Sequence, residues 1–309
     1  MALSIRGESM LPMTPVMIQA ALNGGRSRAE CPAVPVAPPE IAEEARRCAM
    51  AGASVVHFHA QRDGGGWLAD RERYAEAIRR IRAVAPDLLI SITSLRPADV
   101  SVSAIVELLR VLAVDPATRP DLLSINLGHI VAWERQSDGR GRRTVHYPNG
   151  YEEIAALLAA CRMGGIVPEL GVMDLGFLSN AATLRDDGLL PSRPWFLLEL
   201  DTPAFGAGRQ VAPATVANYD HLAGILSEQF PGSAWAAHGV ASPTYPVVLR
   251  ALASGAHVRV GFEDAVTLPD DRPASSNAEL VSWAVERARE LRRHPATAAE
   301  ARAIIGAAH

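Results

Sequence analysis

Two histidines, His57 and His59, stand one residue apart at the end of the apolar run Ser54-Val-Val-His-Phe-His59. In a β-strand alternate residues share a face, so both imidazoles point one way and Phe58 the other. Cβ atoms at that spacing lie roughly 6–7 Å apart. From there two rings can lean onto one ion, about 2.0–2.1 Å from each nitrogen. A bare pair of this kind equally describes two unrelated polar histidines finishing a strand. The surroundings favour the ion: Ala51-Gly-Ala53 precedes the strand, and the polar, glycine-rich turn Gln61-Arg-Asp-Gly-Gly-Gly66 follows it. A strand that ends in ligands and opens into a loop is how α/β barrels build metal sites.

Zinc held with a position open for substrate needs a third protein ligand. The last strand candidate, His257-Val-Arg-Val-Gly-Phe-Glu-Asp264, ends in adjacent acids, and Glu263 is the expected third ligand. In a closed barrel that strand lies beside the first and near the second. A regular strand sends Glu263 and Asp264 to opposite sides, so only a bend lets both serve one site.

The elements that position these residues repeat along the chain. Strands are expected at 17–23, 54–60, 88–94, 122–128, 167–174, 195–201, 234–240 and 257–264. Helices are expected between and after them, at 39–50, 71–84, 102–112, 151–163, near 180–185, and at 213–229, 245–253 and 276–292, with Asp70 capping the second. Residues 1–15 read as a lead-in, and 129–150 as a long excursion after the fourth strand. Eight strand–helix units predict one (β/α)8 TIM barrel over 1–309. A doubly wound open sheet is the structural alternative, weakened because no Gly-x-Gly-x-x-Gly follows the first strand.

In a barrel the strand ends ring one mouth. Here they supply Asn23, His57 and His59, Thr93 and Ser94, Asn126, Glu169 and Asp174, Glu199 and Asp201, His238, and Glu263 and Asp264. No lysine stands at an expected strand end, so Schiff-base aldolase chemistry lacks an amine. A net charge of −4 gives no sign of a nucleic-acid or anionic-membrane partner. Three scattered cysteines and no membrane-length apolar run fit a soluble, cytoplasmic protein.

Several segments resemble the β-keto acid cleavage enzyme family: Pro39-Glu-Ile-Ala-Glu-Glu-Ala45, Ala51-Gly-Ala with His57-Phe-His59, Gly255 to Asp264, and Ser276-Asn-Ala-Glu-Leu280. The resemblance runs from about Gln19 to Ala299. It implies a TIM barrel, a homotetramer, and condensation of a β-keto acid with acetyl-CoA to give acetoacetate and a new CoA thioester. It makes His57, His59 and Glu263 the ligands of one Zn2+ per chain, Asp264 an acid/base residue and Arg259 its supporting cation. Asp264 would take a proton from the acetyl-CoA methyl or manage later transfers. Thr93 falls at the family's substrate-binding serine position and Ser124 at its substrate-binding hydroxyl; Ser94 and Asn126, at the same strand ends, join the expected substrate set. Two departures concern the substrate. The family commonly shows Ser-Thr-Gly-Gly where this chain has Thr93-Ser-Leu-Arg96, and its aminohexanoate-cleaving members carry an acid at the position of Arg26. With Arg26 and Arg96 added to the substrate set, the expected β-keto acid is neutral-polar or carries a second anion. The arginine-rich run 135–143 reads as a solvated hairpin or as a contact for CoA phosphates.

Two other readings fit parts of the pattern. One is a metal-dependent hydrolase, with His238 as a further ligand and zinc activating water. The other is a zinc-containing binding protein that has lost catalysis through the departures at Thr93–Arg96.

Overall fold

The structure, a computed structural model, describes residues 13–63, 66–97, 99–135, 139–201 and 211–307. Most of the lead-in, part of the turn after His59 and the glycine-rich segment 202–210 lie outside the described residues.

Eight parallel strands close into a barrel: Ile18–Ala21, Val55–Phe58, Leu89–Thr93, Leu122–Asn126, Val167–Val172, Trp195–Glu199, Ala234–His238 and His257–Val260. The eighth pairs with the first through Val258↔Ile18 and Val260↔Ala20, which closes the ring. Helices cover the outside, among them Pro38–Ala51, Arg71–Val84 and Asn277–Glu290. Asp70 caps the second of these as expected, its side chain accepting from the Arg73 amide at 2.8 Å.

The strand period sorts the interior into layers. Met17, Val55, Leu89, Leu122, Trp195, Leu197 and Ala236 form an apolar floor, on which Ala301 and Ile305 of the C-terminal helix Ala298–Ile305 pack. One step along each strand the same face turns polar: Gln19, His57, Ser91, Ser124, Glu169, Glu199, His238 and Arg259 are all buried. The larger apolar cluster lies between strands and helices and includes Ile18, Val56, Phe58, Ile90, Ile92 and Phe196. A rigid greasy base thus supports a ring of ionisable side chains at the C-terminal mouth.

Three differences from expectation bear on the site. The eighth strand stops at Val260 and turns at Gly261, where φ is +149°; a Cβ there would sit 2.1 Å from the Ala21 carbonyl oxygen. Only glycine tolerates that approach. The helix expected near 180–185 extends over Leu175–Asp186, and Asp174 is its N-cap, accepting from the amides of Gly176 and Phe177. The excursion after the fourth strand is an antiparallel hairpin, Ile130–Arg135 paired with Arg142–Tyr147.

Candidate active site

His57 is the next-to-last residue of the second strand, and His59 lies just past its end. Their Nε2 atoms are 3.1 Å apart. Glu263 faces both, with Oε1 3.3 Å from His59 Nε2 and Oε2 3.7 Å from His57 Nε2. All three donor atoms lie within 4.8 Å of one another. Ligands bound tetrahedrally at about 2.0–2.1 Å would be about 3.3 Å apart. The spacing therefore fits one ion. So does the donor set, two imidazoles and a carboxylate, which suits a borderline cation such as Zn2+. Protonation supports the same fit. Burial pushes His57 down to about 3, so its ring is neutral and offers a lone pair. Burial opposes ionisation of Glu263, but Arg259 and the two histidines outweigh it and hold the carboxyl well below its usual range. Glu263 Oε2 has no hydrogen-bond partner, an orphaned acceptor that an ion would satisfy.

Each ligand is braced from behind. His57 Nδ1 meets Ser91 Oγ at 2.9 Å, and Ser91 in turn donates to Glu169 at 3.4 Å. Glu169 also accepts from Gln19 at 2.9 Å and from the Trp195 indole at 3.0 Å. Such partners fix the ring and tautomer of a ligating histidine. Asn23 grips the His59 backbone on both sides, accepting from its amide at 2.9 Å and donating to its carbonyl at 3.0 Å. Asn277 accepts from the Phe262 amide at 2.7 Å and donates to the Leu22 carbonyl at 3.2 Å, which pins the turn that carries Glu263.

That turn resolves the question of the adjacent acids. After Gly261 the chain leaves the strand, so Glu263 and Asp264 both line one cavity. Arg259 forks onto Asp264, Nε to Oδ2 at 3.0 Å and Nη2 to Oδ1 at 2.9 Å, and reaches Glu263 Oε1 at 2.8 Å. His238 Nδ1 meets Asp264 Oδ1 at 3.2 Å. Burial favours the neutral acid, yet Arg259 and His238 lower the Asp264 pKa below its ordinary value. His238 stands outside the ligand triad.

The cavity measures about 650 Å³. Its lining includes Arg26, Thr93, Ser124, Asn126, Glu199 and His238 as well as Arg259 and the triad. From the hairpin, Ile130, Arg143 and Val145 reach its wall. Arg26 donates through Nε to the Phe262 carbonyl and through Nη2 to that of Glu263 at 3.3 Å, so it braces the ligand-bearing turn as well as lining the cavity. Nearby Glu30 accepts from the Ser27 amide and hydroxyl.

Two residues expected at the substrate are elsewhere. Ser94 points away from the barrel axis, one step out of phase with Thr93, and its carbonyl accepts from the Tyr147 hydroxyl. Arg96 is buried beneath the hairpin, bonded to the Tyr147 hydroxyl, the Pro148 carbonyl and Glu153, with its guanidinium over the Tyr147 ring. Neither lines the cavity. Conversely, Ser91, Gln19 and Trp195 support the site without having been singled out in the sequence. The same two-residue period that pairs Ser91 with Thr93 would have found the first of them.

A family model described as beta-keto acid cleavage enzyme matches residues 15–306. The 3-keto-5-aminohexanoate cleavage enzyme of Fusobacterium nucleatum is 30% identical over 295 residues, covering 95% of this chain and 98% of that protein. The 3-oxoadipate:acetyl-CoA acetyltransferase of Cupriavidus necator is 26% identical, covering 94% and 95%. Among solved structures, apo ObcA superposes with a TM-score of 0.67 at 20% identity, over 89% of this chain. This chain spans 66% of that protein's length, and the likeness concerns the fold alone.

Proposed function

The chain belongs to the beta-keto acid cleavage enzyme family, and from that premise we propose that it condenses a β-keto acid with acetyl-CoA to give acetoacetate and a new CoA thioester. The observation that carries this reading is the triad His57, His59 and Glu263 set beside an ionised Asp264 in one cavity. His57, His59 and Glu263 would hold one Zn2+ per chain. The ion, when bound, supplies Lewis-acid stabilisation of negative charge on the keto and carboxylate oxygens of the β-keto acid.

Atom balance fixes which proton leaves first. Acetoacetate keeps C1 and C2 of the β-keto acid and takes its acetyl group from acetyl-CoA. The bond formed therefore joins C2 to the acetyl carbonyl carbon, and the bond broken is C2–C3, whose acyl fragment passes to the CoA sulfur. The first proton to leave is on C2 of the β-keto acid rather than on the acetyl-CoA methyl. Asp264 is the ionised carboxylate at hand to accept it. Arg259 and His238 orient that carboxylate and stabilise its charge before transfer. Thr93 and Ser124, both lining the cavity, present hydroxyls to substrate oxygens.

Arg26 stands in the lining where aminohexanoate-cleaving members of the family carry an acid, and a guanidinium there favours a neutral-polar or doubly anionic β-keto acid over an amine. Arg143, which lines the cavity from the hairpin, would pair with a CoA phosphate. A cytoplasmic homotetramer completes the reading by family resemblance. Among the described residues no helix is long and apolar enough to cross a membrane.

The test is a panel of β-keto acids incubated with acetyl-CoA and assayed for acetoacetate. Turnover that requires acetyl-CoA supports the proposal. Hydrolysis of substrates without it would favour a metal-dependent hydrolase, and tight binding of β-keto acids with no turnover would favour a binding protein.

A further inference from the structure

Glu199 takes no part in the steps above, yet it sits in the same cavity. It ends the sixth strand on the inward face, is 7% exposed, and its Oε1 has no hydrogen-bond partner. The nearest cation is His238 Nε2, 4.0 Å from Glu199 Oε2, beyond hydrogen-bond reach. That nitrogen is also buried and unpartnered. The other ring nitrogen, Nδ1, is committed to Asp264 and to the Gly239 carbonyl. Two polar groups of opposite hydrogen-bonding capacity thus flank a gap that neither closes.

The wall beside them is shaped to keep that gap open. At Gly171 on the neighbouring strand, a Cβ would lie 2.3 Å from Glu199 Oε1 and 2.6 Å from Asn126 Oδ1. The missing side chain lets two acceptor oxygens converge at one point of the lining. A buried acceptor without a donor costs about 1–3 kcal/mol, so a site that retains one is organised around a donor brought by something else.

The charges select which donor. Burial opposes a proton on His238, but Asp264 more than offsets it and raises the pKa, which favours a donor at Nε2 while Nδ1 faces Asp264. Arg259 stands behind it with a permanent charge. An ammonium would meet both cations. A hydroxyl can accept from His238 Nε2 and donate its one proton to Glu199 Oε1, pairing the two orphaned atoms together.

We propose that Glu199, Asn126 and His238 form a subsite for a hydroxyl group on the variable arm of the β-keto acid. The preferred substrate is then a hydroxylated β-keto acid. This rests on the reaction proposed above, and the experiment separates the two. The set is 3-oxohexanoate, its 4-, 5- and 6-hydroxy derivatives and its 5-amino derivative, each assayed with acetyl-CoA. In wild type, one hydroxylated compound should exceed both 3-oxohexanoate and the amine in kcat/KM by about 10-fold or more. In Glu199→Leu that ratio should collapse toward one while the melting temperature rises, because an unmatched buried acid has been removed. A purely structural acid would instead lower it. Glu199→Gln, nearly isosteric and still an acceptor, should keep part of the preference, and it serves if the leucine variant does not fold. Turnover of 3-oxohexanoate with no hydroxyl preference, or a preference unchanged in both variants, would overturn the subsite and leave the reaction standing. No turnover across the whole set would overturn both.

Discussion

Asp264 and Glu199 line one cavity, and their acidities are shifted in opposite directions. Arg259 and His238 overcome burial at Asp264 and lower its pKa, whereas at Glu199 burial dominates and raises the value to about 7. Their tests differ accordingly. If Asp264 handles protons rather than holding metal, Asp264→Asn should retain its ion by elemental analysis and lose about 10²–10⁴-fold in turnover. Loss of the ion would instead make Asp264 a ligand or a ligand's support. For Glu199 the linkage sign follows from the raised pKa. The folded state binds the extra proton, so the stabilisation is full below about 4.5 and is lost as pH rises toward about 7. Across that window the loss approaches about 3 kcal/mol, an order of magnitude set by the shift. Thermal melts of wild type and Glu199→Gln at pH 5 and pH 8 should show the variant gaining relative stability at the higher pH. A constant difference would mean that Glu199 is ionised throughout.

At the scale of elements, the turn after the eighth strand does most to assemble the site. Read as a regular strand, residues 257–264 leave the two acids on opposite faces; the bend at Gly261 brings both inward. The signal was present, since an isolated glycine in a strand pattern marks a bend or a close backbone approach. Asn277 then locks the turn. Asn277→Ala leaves the Phe262 amide and the Leu22 carbonyl buried without partners, at a cost of about 2–5 kcal/mol. Chemical denaturation should register that loss, and metal affinity should fall with it. A variant as stable as wild type would show that Asn277 does not hold the turn. Other features were harder to read from sequence. Thr93 and Ser94 are adjacent polar residues at one strand end, and only the phase of the strand separates the cavity-lining Thr93 from Ser94. Arg96 follows the third strand closely in the chain, which suggests the substrate. Its burial by Tyr147, Pro148 and Glu153 depends on where a hairpin some fifty residues later folds back, which local pattern does not encode.

For the molecule as a whole, the barrel was legible because eight apolar runs alternate with helical periods and polar residues gather at the strand ends. The distinction among those ends was not. Glu169 is a mouth residue by sequence, yet it lies inside the barrel as the acceptor of a buried network. Asp174 belongs to a helix cap. Closure itself depends on the contact between the first and eighth strands. Gly261→Ala would drive a methyl into the Ala21 carbonyl, so it should fail to give a cooperatively melting protein; normal melting would show that the backbone there can yield. The sequence also contains no lysine anywhere, which removes the amine that a Schiff-base route to carbon–carbon cleavage requires. The central claim is that C2 of a β-keto acid exchanges its acyl group for the acetyl group of acetyl-CoA. Acetyl-CoA labelled with 13C in both acetyl carbons tests it directly by mass spectrometry of the products. The account predicts acetoacetate carrying both labelled carbons and a new, unlabelled acyl-CoA. Unlabelled acetoacetate, or label retained only in acetyl-CoA or free acetate, would contradict it.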